Sequence, residues 1–319
     1  MHLKNVPSKL IYKTAATASR LLAGLEKQQI EQSSELFRPL IILGPARSGT
    51  TLLYQLITHS EKFFAINNFI AAFPYSPILA ARAWQILASK HLNKERKSFQ
   101  SNYGRGRGLG GINQGHTIWA RWFDKNDTCQ LLDSMQCATF SGTISTLSRV
   151  SGIPLALKWP GFAAHAVALI HCLPNAFYVS IDRSTLPLAK SIYQGRVNLT
   201  HTAKKPISRA PKNLHLKPLD NPVDDILLYI TSVRKEIRLA LRQVDEENKI
   251  AVSYEKLCSS PQVAVKDIIA KYNSRTKVCM EREYIPHNFK LSQGPDLDPA
   301  IEQEFFMKIK QNQIDDFEL

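Results

Sequence analysis

Pro39-Leu-Ile-Ile-Leu-Gly44-Pro-Ala-Arg47-Ser-Gly-Thr-Thr51-Leu-Leu53 is the stretch that decides the fold. Pro39–Gly44 is a short, continuous apolar run ending on glycine, the pattern of a parallel strand buried on both faces. Ser48–His59 then places apolar residues at 52, 53, 56 and 57, which is helical spacing. A strand, a tight loop and a helix in that order suit a phosphate. Glycine allows close backbone approach, and the helix start offers free N–H groups at the positive end of its dipole. The spacing imitates the loop GxxxxGK[ST], but Thr50 stands in the lysine position and the positive charge has moved to Arg47. Arg47, Ser48, Gly49, Thr50 and Thr51 are the candidate anion ligands. Thr50 argues against ATP or GTP hydrolysis.

Further strands are expected at 154–158, 176–181 and 249–254, with helices at 161–172, 185–194, 223–244 and 261–272. Short apolar strands alternating with helices predict an α/β, P-loop-like three-layer fold with a central parallel sheet flanked by helices. Residues 1–38 read as an N-terminal helical extension packed through a stripe of Leu21, Leu22 and Leu25, and residues 39–319 as a single domain. Two segments break the rhythm and read as surface loops, the usual home of substrate contacts: 96–117, with its GRGRGLGG run, and 196–218. The second holds six Lys/Arg, two His and no acid. Gly106–Gly111 satisfies GxGxxG, yet no strand precedes it, so it reads as an arginine-rich lid and not as a dinucleotide loop. Trp119 and Trp122 read as core.

The chain has 319 residues, 44% apolar and 21% charged, which excludes collagen-like, disordered and disulfide-scaffold classes. Its net charge of +14 suits an anionic partner. The five cysteines are scattered without CxxC, so neither a metal site nor a disulfide framework is expected, and a reducing compartment fits. The most apolar window, 69–88, contains Pro74, Pro77 and Arg82, which argue against a membrane span. With no signal-peptide pattern at the N-terminus, a cytoplasmic protein is expected.

The loop resembles the 5′-phosphosulfate loop of PAPS-dependent sulfotransferases, commonly PRSGTTLL; here one more residue separates proline from arginine. Three more segments follow in that family's order. Leu157-Lys-Trp-Pro160 resembles its strand-ending Lys-x-Pro, which implies that Lys158 contacts the leaving phosphate or the bridging oxygen. Leu173–Ser191 resembles its 3′-phosphate strand, loop and helix, which implies that Arg183 and Ser191 grip that phosphate; Thr185 stands where proline is frequent. Val252–Pro261 resembles its YE-x-L-x-x-x-P, with Tyr254 and Glu255 expected to close the last strand. His287–Gly294 resembles the C-terminal tail of the bacterial subgroup. The resemblance covers roughly residues 38–294 and is nearest the bacterial and tyrosylprotein-like branches.

It implies PAPS as co-substrate, no metal, and a small-molecule acceptor with a hydroxyl or amine, as in natural-product tailoring; neither nucleic acid nor membrane is an expected partner. In the tyrosylprotein-like relatives a glutamate lies about 21 residues beyond the loop arginine. Here that position is Asn68, which cannot take a proton. His116 is the first candidate base, since imidazole titrates near ~6.5. His59, Asp124 and Asp182 follow. The acceptor pocket is expected between 63–117 and 196–218. A P-loop kinase, or a non-catalytic nucleotide or polyanion binder on the same fold, are the competing readings.

Overall fold

The computed structural model describes residues 8–30, 37–59, 62–91, 106–123, 131–211, 218–274 and 285–314. Four strands form the sheet: β1 (Leu40–Leu43), β2 (Ala156–Lys158), β3 (Phe177–Asp182) and β4 (Lys249–Ser253). They lie in the order β2-β1-β3-β4, all parallel. Ile41 pairs with Leu157 on one side and Tyr178 on the other. The two-residue period of a strand divides the core in two. Ile41, Leu43, Leu157 and Tyr178 face one apolar cluster, with Phe140, Leu169 and Ile230 from helices Ser134–Ser151, Ala166–Cys172 and Pro222–Leu241. Leu40, Ile42, Phe177 and Val179 face the other, with Leu53, Ile57 and Ile268 from helices Thr50–His59 and Pro261–Tyr272. The result is the expected α/β sandwich of three layers. Trp119 and Trp122 are buried in its core.

Several expectations change at the edges. Tyr254 and Glu255 do not close β4; they open a helix, Tyr254–Ser259, capped by the Ser253 hydroxyl. The helix expected to end near 194 runs on through Thr200, so the expected loop 196–218 begins as helix; its residues 212–217 lie outside the described residues. Of the leucine stripe expected to dock the N-terminal helices Ser8–Leu21 and Ala23–Gln29, Leu21 and Leu25 are exposed and Leu22 is half-buried. Polar groups hold them instead. The Glu26 carboxylate accepts from the N–H groups of Ile78 and Leu79 at 2.7 and 3.0 Å, satisfying first-turn donors of helix Pro77–His91. The Ser19 hydroxyl accepts from the Tyr75 N–H.

Cys137 and Cys172 form a disulfide, against the expectation of unpaired thiols. Their sequence separation of 35 gives no sign of it; the packing of two helices brings their Cα atoms to 4.9 Å. Among the described residues no helix is long and apolar enough to cross a membrane.

Candidate active site

The loop after β1 is built so that only glycine fits at its ends. A Cβ on Gly44 would fall 2.3 Å from the Ile181 carbonyl oxygen, and one on Gly49 (φ 94°) 2.4 Å from the Tyr254 ring. Arg47 between them has φ 72°, a left-handed conformation that an arginine adopts at some cost and that is found at ligand sites. Ser48 does not join the expected ligands. Its hydroxyl donates to the carbonyls of Pro45 and Ile181, its N–H to Pro45, and its side chain is buried beneath the loop. Gly49, Thr50 and Thr51 do face the cavity above, at the first turn of Thr50–His59, where the N–H groups have no partner within the helix.

That cavity, of about 430 Å³, gathers Arg47, Lys158, and the pair Arg183 and Ser191 from three separate segments. Three of these are basic side chains, and among the described residues that line it there is no carboxylate. Lys158, at the end of β2, is 3% exposed; its amine donates to the Thr51 hydroxyl at 3.2 Å. Burial, and then the nearby Arg47, push the amine down to about 7. The Arg47 guanidinium donates through Nε to Ser191 Oγ at 3.2 Å, bridging the loop to helix Thr185–Thr200. Arg183 follows β3. Its terminal nitrogens donate to the carbonyls of Arg47 and Ser292, and its guanidinium lies 4.7 Å from the centre of the Tyr254 ring. Its Nε is buried with no acceptor among the described residues, an orphan donor of the kind a bound anion satisfies.

Behind the cavity is a buried clamp. Arg234 pairs with the Asp182 carboxylate at 2.6 Å and donates to the Thr185 hydroxyl and the Arg183 carbonyl. Asp182 also accepts from the Arg183 N–H. So Asp182 is committed to the scaffold and stands neither as base nor as metal-holding acid. Glu255 accepts from both the N–H and the hydroxyl of Ser184, fixing the turn after Arg183. Sequence reasoning missed Arg234, Tyr254 and Ser292.

A second cavity, of about 400 Å³, adjoins the first; Gln114, Pro160, Ile207 and Ser208 line both. His116 and Trp159 form one wall, and Pro206–Arg209 the other. Both expected acceptor segments therefore reach it, although 96–105 and Asp124 lie outside the described residues. His59, at the end of its helix, lines neither cavity. Asn68 is a loop clamp: its amide donates to the carbonyls of Gly106 and Gly108 at 2.8 and 2.7 Å, and its oxygen accepts from Asn113. Gly106–Gly111 is thus a tight loop tied down by Asn68. Among the described residues no three His, Cys, Asp or Glu side chains stand close enough to hold a metal.

In a parallel α/β sheet the carboxyl ends of the strands are where ligands bind, and here that end carries a cavity lined with basic side chains. The sequence matches the sulfotransferase family over residues 39–274, and the chain belongs to that family. Sulfotransferase STF1 from Mycobacterium tuberculosis H37Rv is similar in structure, with a TM-score of 0.54 at 15% identity over 91% of this chain and 83% of that one. Sulfotransferase STF9 from Mycobacterium avium gives 0.48 at 14% identity over 100% and 92%. At these identities the likeness concerns the fold. No curated protein matches the sequence.

Proposed function

We propose that this chain transfers a sulfuryl group from PAPS to a hydroxyl or amine of a small molecule, releasing PAP. The observation that carries the reading is the first cavity: three basic side chains and, among the described residues, neither a carboxylate in its lining nor an acceptor for the buried Arg183 Nε. A phosphosulfate at one end and a 3′-phosphate at the other fit that need. Arg47 and the free N–H groups of Gly49, Thr50 and Thr51 would hold the 5′-phosphosulfate. Arg183 and Ser191 would hold the 3′-phosphate, the group that separates PAPS from ATP.

Displacement at sulfur runs in line. The acceptor atom forms a bond to sulfur while the bond from sulfur to the bridging oxygen breaks, and its electron pair stays on the phosphate. Charge grows on that phosphate, so stabilisation there lowers the barrier. Lys158 is suited to it. Buried and short of a counter-charge, its amine regains its proton once the donor's phosphate stands beside it, and no solvent need reorganise. The acceptor enters from the second cavity, which shares four walls with the first. A kinase reading lacks its lysine at Thr50, and Asp182 is occupied by Arg234.

The test is turnover with radiolabelled PAPS and a panel of phenols, sugars, amines and alkaloids. Label passing to at least one acceptor with release of PAP is the expected result. PAP binding without transfer to any acceptor would favour a non-catalytic binder.

A further inference from the structure

Resting on that reading, we propose that Tyr229 is a positioning residue that joins the two cavities: its phenol holds the Arg47 loop and the wall 203–211 in one register, so that filling the donor side steadies the acceptor side. Tyr229 is buried, on helix Pro222–Leu241. Its hydroxyl oxygen accepts from the Ala46 N–H at 2.9 Å. Burial pushes the phenol above its usual range, while the Ser208 side chain and the Ala46 N–H act the other way at its oxygen. The phenol keeps its proton, and one hydroxyl serves two segments. Ser208 in turn lines both cavities.

The Arg47 loop needs such a hold. Arg47 has φ 72°, a conformation costly for any residue but glycine, and the residue before it gives its N–H to the phenol. With the hydroxyl removed, the Ala46 N–H would face ring carbon, and a buried donor left unpaired favours another backbone conformation. The strain at Arg47 gives that change a direction, out of the left-handed region.

The wall is anchored on the same helix, one turn earlier. Asp225 pairs with Arg196 at 2.7 Å, both buried, and Arg196 donates to the Ala203 carbonyl where the wall begins. Ile207 packs on helix Thr185–Thr200, so close that a Cβ on Gly195 would fall 3.0 Å from it. Asp225 and Tyr229 are four residues apart and share a helix face. Asp225 thus secures the root of the wall, and Tyr229 meets its middle at Ser208. Farther along, Arg234 holds the Arg183 carbonyl. One helix therefore reaches the loop, the wall and the turn after β3, and Tyr229 is the contact that touches loop and wall together. A ligand that fixes the loop fixes the phenol and, through Ser208, the wall, so a second ligand there meets a surface already ordered.

The test is hydrogen–deuterium exchange of the full chain, read on peptides spanning 44–53 and 203–211, with and without saturating PAP. In wild type, PAP should slow exchange in both. Tyr229→Phe keeps the ring and loses the hydroxyl. Without ligand it should speed exchange ~3–10-fold in both segments, and PAP should then slow 44–53 alone. Ser208→Ala leaves the Ala46 bond in place, so 44–53 should exchange as in wild type while 203–211 loses its response to PAP. A response of 203–211 to PAP that survives in either variant as in wild type, or ligand-free rates unchanged in Tyr229→Phe, would overturn the proposal. If Tyr229→Phe fails to fold, Ser208→Ala decides alone. Calorimetry separates the two failures. A wild type that binds no PAP indicts the sulfuryl-donor reading, and the ligand-free comparison with Tyr229→Phe still decides whether the phenol joins loop and wall.

Discussion

The two cavities share four residues, yet they are built on different terms. The first is a rigid cationic cradle. Its ligands come from strand ends and from the loop after β1, and each is braced from behind: Arg183 by Tyr254 and the Arg234–Asp182 pair, Arg47 by Ser191. The second is walled by segments 113–116 and 206–209 and by Trp159–Gly161, with hydrogen bonds between side chains setting its chemistry. The contrast teaches a division of labour. On the proposed function the donor side binds one fixed polyanion, and locked charges suit that task. The acceptor side sets which molecule reacts, and there single side chains decide.

The largest expected effect breaks the donor side. Arg47→Ala removes the guanidinium inside the loop and should lower turnover with PAPS by at least ~10²-fold while the circular dichroism spectrum is unchanged. Near-wild-type turnover would remove Arg47 from the phosphosulfate site. Next, Arg183→Ala should weaken PAP binding by ~1.5–3 kcal/mol and leave 5′-AMP binding nearly unchanged, because only PAP carries a 3′-phosphate. Equal losses for the two ligands in calorimetry would contradict that placement.

The pH dependence sharpens the same side. The Lys158 amine, near 7 in the free protein, is mostly neutral above that pH. A phosphate beside it favours the charged form and raises its pKa. PAP binding should then take up a proton above about pH 7, and affinity should fall by up to ~tenfold per pH unit as pH rises through the window between the free and bound values. Calorimetry in buffers of different ionisation enthalpy reads the proton directly, and Lys158→Met should abolish the uptake. The smallest effect belongs to the acceptor side. Asn68→Ala frees two loop carbonyls and should cost about 1–3 kcal/mol of stability in a denaturant titration. It should raise the KM for the acceptor and leave PAP affinity alone.

Which residues meet in the first cavity was largely legible in the sequence because the signals are local. A buried strand ending in Gly44 and a helix opening at Thr50 are written in neighbouring residues, and Arg183 and Ser191 share one strand, loop and helix. What escaped is non-local or carried by the backbone. Ser292 accepts from Arg183 through its carbonyl, which any residue provides. Arg234 reads as one more polar residue on an amphipathic helix until the fold brings Asp182, 52 residues away, against it. Ser48 belongs to the right motif but spends its hydroxyl and N–H inward. The pairing of His116 with Trp159 spans 43 residues, and nothing in either segment announces it. Leu21 and Leu25 mark the opposite error, an apolar stripe that packs on nothing described while Ser19 and Glu26 hold the extension.

The central claim is a site made for a nucleotide bearing both a 5′-phosphosulfate and a 3′-phosphate. Calorimetric titration of the wild-type chain with PAP and with 5′-AMP, in EDTA so that no divalent metal takes part, tests it most directly. The account predicts one PAP per chain with micromolar or tighter affinity, and 5′-AMP weaker by at least ~tenfold, the worth of one charged hydrogen bond. PAP and 5′-AMP binding equally, or PAP binding only when magnesium is restored, would contradict it.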